Sequence, residues 1–170
     1  MKRIFFLIMI VFSLIGCNQS KNKGIPAPRA CGQDDIIGTW QLIQLQPHIP
    51  PQENDPDFWE NQIWIFSKSG KTQKIKKQTP FTTEDIKNLS AKFADDSLMT
   101  STYELHKDKA ALVLKPQDSP FPYLFSCFYV TEDFFDASKK MHLKKGDILL
   151  DLRTNDGKKI ILGHQLRKVR

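Results

Sequence analysis

The stretch Ile36-Ile37-Gly38-Thr39-Trp40-Gln41-Leu42 decides the fold of this chain. β-branched and aromatic side chains suit a pleated, half-buried surface, so it reads as the first strand of an all-β domain. Trp40, Leu42 and Leu45 are its apolar positions, and Pro47 ends it. After this strand, nearly every apolar run is equally short and closed by a turn signal.

Gln62 to Phe66 is a second strand, Ser69-Gly70 a hairpin turn, and Lys71 to Gln78 a third strand. Lys71, Lys74, Lys76 and Lys77 surround a single Ile75 there, which predicts a largely solvent-facing or edge strand guarded by charge. Met99 to His106, Ala110 to Leu114 and Tyr123 to Val130 follow as strands. Asp147 to Arg153 and Lys158 to Lys168 form a hairpin around Asn155-Asp156-Gly157, because an Asp-Gly pair accepts the positive φ of a tight turn. Phe134 to Lys145 reads either as a loop with a helical turn or as a short extra strand. One helix interrupts the series: Thr82 and Asp85 form a capping box, and Ile86, Leu89 and Phe93 fall at helical spacing, which predicts a helix over 83–94.

Eight strands linked by hairpins or loops, with no helical crossovers, predict an up-and-down antiparallel barrel. Eight is the number whose interior side chains fill, or which holds one small ligand. The loop from Pro47 to Glu60 carries Pro50, Pro51 and Pro56, is irregular for that reason, and is long enough to cover a barrel mouth.

The chain has 170 residues, enough for one domain. Its first residues set its location. Met1-Lys2-Arg3 is basic, Ile4 to Ile15 is apolar apart from Ser13, and Gly16-Cys17 ends the run. This run is shorter than the ~20 residues of a membrane span and has the flanks of a signal peptide. Leu14-Ile15-Gly16-Cys17 resembles the lipobox of bacterial lipoproteins, which implies cleavage after residue 16 and fatty acylation of Cys17, with palmitate-type chains holding the protein on a membrane. Asn18 is not the aspartate associated with inner-membrane retention, so the resemblance implies the cell envelope and the periplasmic face of the outer membrane. Residues 17–35 are then a lipidated, polar, Pro-containing tether, and residues 36–170 the domain.

Without residues 1–16 the chain carries 23 basic and 19 acidic residues, a mild excess that describes a solvated surface and not a nucleic-acid footprint. With Cys17 acylated, Cys31 and Cys127 remain as an even pair in an oxidising compartment; a disulfide is the economical reading, two free thiols the other.

Gly38-Thr39-Trp40 resembles the Gly-X-Trp motif that opens the barrel of lipocalins and small bacterial lipocalin-like proteins. The resemblance implies that Trp40 plugs the closed end of the barrel and that a basic residue of the last strand packs over it. Arg167 is the expected one, with Lys168 or Arg170 as alternatives. A helix between the third and fourth strands departs from the family pattern.

Chemistry-bearing motifs are scarce. His48, His106, His142 and His164 each stand alone in sequence, read as surface or partly buried singles, and imply no metal site. No nucleophile, acid and base set stands out, and no cofactor motif, so the chain does not read as an enzyme. Two readings remain. One is a binding module whose interior, lined by Trp64, Phe66, Tyr103, Phe125 and Tyr129, takes a small hydrophobic ligand. The other is an envelope scaffold with a filled barrel, meeting a protein partner through Phe58-Trp59 and Phe134-Phe135.

Overall fold

Eight strands pair in sequence order and the last returns to the first. The computed structural model describes residues 27–51 and 54–169; the expected signal segment, Cys17, the first part of the tether and Arg170 lie outside them. The barrel strands are β2 (Gly38–Pro47), β3 (Asn61–Phe66), β4 (Lys71–Lys77), β5 (Ser101–His106), β6 (Ala111–Lys115), β7 (Tyr123–Tyr129), β10 (Ile148–Arg153) and β11 (Ile160–Lys168). Each is antiparallel to the next, and β11 pairs with β2 from Leu162–Pro47 to Lys168–Trp40, which closes the ring. Closure gives each of these eight strands a neighbour on both sides. The protein is an all-β, up-and-down antiparallel barrel with one short helix beyond a single turn at its N-terminal end.

An apolar cluster occupies the interior of the barrel. Trp40, Leu42, Trp64, Phe66, Leu112, Phe125, Cys127, Leu150 and Leu166 are all buried in one cluster. β3 is buried on both faces, because α2 (Thr83–Lys92) lies against its outer side. The helix begins as its sequence dictates: Thr82 Oγ1 accepts from the Asp85 amide and Asp85 returns the bond to Thr82 N. Ile86, Leu89 and Phe93 then meet Ile63 and Ile65.

The segment that is ambiguous in sequence, 134–145, is a separate two-stranded ribbon, β8 (Phe134–Asp136) with β9 (Met141–Leu143). It covers Val130 and Leu149 on the outside of the barrel. Gln165 points outward beneath it, and its amide Nε2 donates to His142 O (2.9 Å) and to Asp147 Oδ2 (2.8 Å).

The last residues of the expected tether belong to the domain. β1 (Arg29–Ala30) extends the sheet on β7, and α1 (Gln33–Ile36) is one helical turn. Cys31, fully buried, forms a disulfide with Cys127 on β7, with Cα atoms 5.5 Å apart. A loop of this length removes about 4 to 5 kcal/mol of chain entropy from the unfolded state. Ile36 has no exposed surface, and its carbonyl accepts from Trp40 Nε1 at 2.7 Å. Trp40, 1% exposed, therefore fills the closed end with its one polar atom paired.

The cation over Trp40 is Lys168, not Arg167. Lys168 lies opposite Trp40 in the register, with Nζ 5.5 Å from the ring centroid. Arg167, one residue away, faces the other side of the sheet and grips buried Asp147 through Nε and Nη2, each at 2.8 Å. Gly38 makes room for this arrangement: its φ is +129°, and a Cβ there would stand 2.7 Å from Lys168 Cε.

Replacing Trp40 with Ala is expected to cost about 3 to 5 kcal/mol in urea denaturation, since it removes a fully buried plug. A loss below about 1 kcal/mol would show that the closed end does not depend on this side chain.

Candidate functional site

Counting outward from the Ser69-Gly70 turn sets the chemistry of the open end. Phe66 pairs with Thr72, Trp64 with Lys74 and Gln62 with Lys76. Cross-strand partners share a face, so Thr72, Lys74 and Lys76 point inward with the buried Gln62, Trp64 and Phe66. β4 is thus neither an edge nor a solvent-facing strand, contrary to the expectation from its lysines. It pairs along its length with β3 and, at Lys71–Thr102 and Thr72–Ser101, with β5. Its isolated Ile75 is the outward residue, packed with the α2 cluster.

β4 and β5 share only those two residue pairs. A cavity of about 220 Å³ lies there, bounded on one side by Thr72, Lys74 and Lys76 and on the other by Thr100, Ser101 and Leu114. Trp64, Phe125, Leu152, Leu162 and His164 line its apolar part. Asp57, Gln73, Pro116, Tyr123 and the exposed Asp118 complete its lining.

His164 is the unusual group. It is 2% exposed and sits edge-on to Trp64 and Phe125, with centroids 5.2 and 5.9 Å away. Nδ1 lies 3.1 Å from the carbonyl of Leu150. A carbonyl only accepts, so Nδ1 carries the proton and Nε2 presents a lone pair. That Nε2 is buried and has no hydrogen-bond partner among the described residues. Burial, reinforced by the nearby Lys74 ammonium, pushes the imidazole down to about 3, so the ring is neutral at physiological pH.

The long loop supplies the counter-charge. Pro56–Phe58 forms a 3₁₀ turn capped by Asp55, whose Oδ1 accepts from Asp57 N. The turn delivers the Asp57 carboxylate between two lysines: Oδ1 accepts from Lys74 Nζ at 2.8 Å and from Lys76 Nζ at 2.5 Å. Burial works against the Asp57 charge, but the two ammonium groups outweigh it and hold the carboxyl well below the usual carboxylate range. Lys74 lies 4.5 Å above the Trp64 ring, and burial brings its ammonium down to about 8 despite Asp57. Gln62, fully buried, ties these parts together. Its Nε2 donates to the carbonyls of Asp57 and Trp59, and its Oε1 accepts from Trp64 Nε1.

Of the residues expected to line a ligand cavity, the structure brings Trp64 and Phe125 together there. Phe66 and Tyr103 stack edge-to-face deeper in the core, 5.3 Å apart, and Tyr103 Oη donates to Ser67 O. Tyr129 lies toward the closed end under the Arg29 guanidinium, 4.5 Å from its ring. Three of the histidines are on the surface, whereas His164 is a core residue, contrary to its expected place. The aromatic pairs also differ from expectation: Phe58 and Trp59 are half-buried, Phe134 packs under the ribbon, and Phe135 alone of the four is exposed. Asp57, Lys74, Lys76 and His164 were not legible as site residues from composition, although the turn count places both lysines beside Trp64.

No family model, curated protein or solved structure matches this chain.

The buried imidazole makes stability depend on acid. The folded state holds His164 neutral while the unfolded chain protonates it near its ordinary 6.5, so the unfolded state binds the extra proton. Its contribution is full above about pH 6.5 and is lost as the pH falls toward 3. Between neutral pH and about 4.5, wild type is expected to lose about 2 to 3 kcal/mol more than His164→Leu in urea titrations. Equal losses would place the proton elsewhere.

Proposed function

We propose that this protein is a small-molecule binding module of the bacterial cell envelope, lipocalin-like in design and held at a membrane by acylated Cys17. The cavity beside His164 carries the reading. Its walls supply apolar contact from Trp64, Phe125, Leu152 and Leu162, while Lys74 and Lys76 add polar groups to the same lining. A ligand that covers Trp64 and Phe125 and reaches those polar groups uses both. At about 220 Å³ the space lies below the ~300–1,000 Å³ of drug-sized sites. The ligand is therefore compact, on the scale of one or two rings and not a long acyl chain.

The anchor rests on the lipobox-like Leu14-Ile15-Gly16-Cys17. Replacing Cys17 with Ser is expected to move the protein from the membrane to the soluble fraction of its host. Retention at the membrane would remove the acyl anchor from this proposal.

Native mass spectrometry of the protein purified from its own host tests the binding role. The expected result is a discrete added mass, absent from a Leu152→Trp variant in which the new indole fills the cavity. A bare mass in both, unchanged after host extract is added back, would favour the filled scaffold.

A further inference from the structure

The Asp57–Lys74–Lys76 cluster has more positive charge than its own carboxylate neutralises. Both lysines face into the barrel, with side chains 20% and 24% exposed. One oxygen of one carboxylate serves both ammonium groups. Asp118, the other acid lining the cavity, forms no ion pair with either lysine. The cluster as paired therefore carries a formal surplus of one positive charge.

Asp57 does not belong to the barrel wall. It sits on a 3₁₀ turn of the long loop and brings its carboxylate to both lysines from outside the sheet. Trp64, Phe125 and the His164 ring line the same cavity. Cation and flat apolar surface are thus gathered in one small space.

We infer that the cavity takes a small aromatic carboxylate, and that the ligand's carboxylate competes with that of Asp57 for Lys74 and Lys76. The inference rests on the binding role proposed above and adds the charge of the ligand and the residue it displaces. An isolated ammonium in this setting is unfavourable, so Asp57 is replaced by another anion and not simply removed. The ligand's ring covers Trp64 and Phe125, beside the His164 ring. Asp57 thereby acts as an internal competitor that keeps the lysines paired when the site is free.

The test compares hydroxynaphthoate with naphthol, which keeps the rings and the hydroxyl and lacks the carboxylate. Both are titrated into the full mature protein by calorimetry, with Trp fluorescence as a second readout. Wild type is expected to bind hydroxynaphthoate about tenfold more tightly than naphthol, the scale of one charge-assisted contact. Asp57→Asn is expected to strengthen hydroxynaphthoate binding by about tenfold and to leave naphthol within about twofold, because only the anion competes with Asp57. Joint replacement of Lys74 and Lys76 with Gln is expected to erase the preference.

Equal affinities of the two probes in wild type would overturn the anion inference and leave the binding role standing. That comparison does not depend on how well any variant folds. Failure of both probes to bind wild type and folded Asp57→Asn would overturn the inference together with the binding role. Weaker binding of hydroxynaphthoate to folded Asp57→Asn would show that Asp57 assists the ligand and does not compete with it.

Discussion

A single cross-strand row, Lys168–Trp40–Trp64–Lys74, fixes which side of the barrel every residue faces. The four residues lie on the adjacent strands β11, β2, β3 and β4, each opposite the next. The side-chain period of a strand is two, so once the two indoles are inside, the inward sets of all four strands follow. Slipping β3 by one residue would bring Ile63 or Ile65 into the barrel and turn Trp64 to the outer layer. Each indole in the row has an ammonium within 5.5 Å, Lys168 over Trp40 and Lys74 over Trp64. Two contacts of this kind contribute about 0.5 to 2 kcal/mol each, depending on desolvation. The same geometry serves two purposes: at the closed end it seals a plug, and at the other indole it lines a cavity.

The ion pairs of the molecule divide in the same way. Asp147 is 1% exposed, yet it takes two bonds from Arg167, one from Gln165 and one from the amide of Lys144. Its acceptor capacity is used within the protein, as expected of a buried charge that holds a ribbon, a strand end and a turn in register. Asp57 presents the opposite balance, with two cations on one of its oxygens. A saturated network such as that of Asp147 gives a ligand nothing to gain. An unsaturated one beside an apolar surface does, and the distinction can be drawn from hydrogen-bond partners alone.

Much of the architecture is legible in the sequence because the barrel strands obey local rules. The eight runs, the Asp156-Gly157 turn and the capping box at Thr82 lie where their residues place them. Three features are less legible, each for a physical reason. Arg29 to Ile36 has the composition of a linker, and only Cys31, tied to Cys127, and Ile36, buried under the barrel, draw it into the fold. The 134–145 ribbon pairs with itself and not with the barrel, so its pattern is too short to show a period. The lysines of β4 suggest a wet strand by composition, which carries no register. Counting from Gly70 sets Lys74 opposite Trp64, and an inward Trp64 then requires an inward Lys74.

An inward lysine in a small barrel is the point at which stability and binding pull apart. Filling that position with an apolar side chain would spare the protein the desolvation of an ammonium, which burial here already brings down to about 8. The fold accepts that cost, brings Asp57 in on a turn to offset it, and fixes the turn's backbone through fully buried Gln62. His164 repeats the pattern on β11: Leu there would satisfy the core, whereas the imidazole leaves Nε2 unmatched. Lys74 and His164, with the inward Gln62, Thr72 and Lys76, concentrate the polar exceptions of the interior around the cavity. The closed end, with Ile36, Trp40 and Lys168, shows no unpaired buried side-chain atom among the described residues. That asymmetry assigns stability to one end of the barrel and, under the proposed function, recognition to the other.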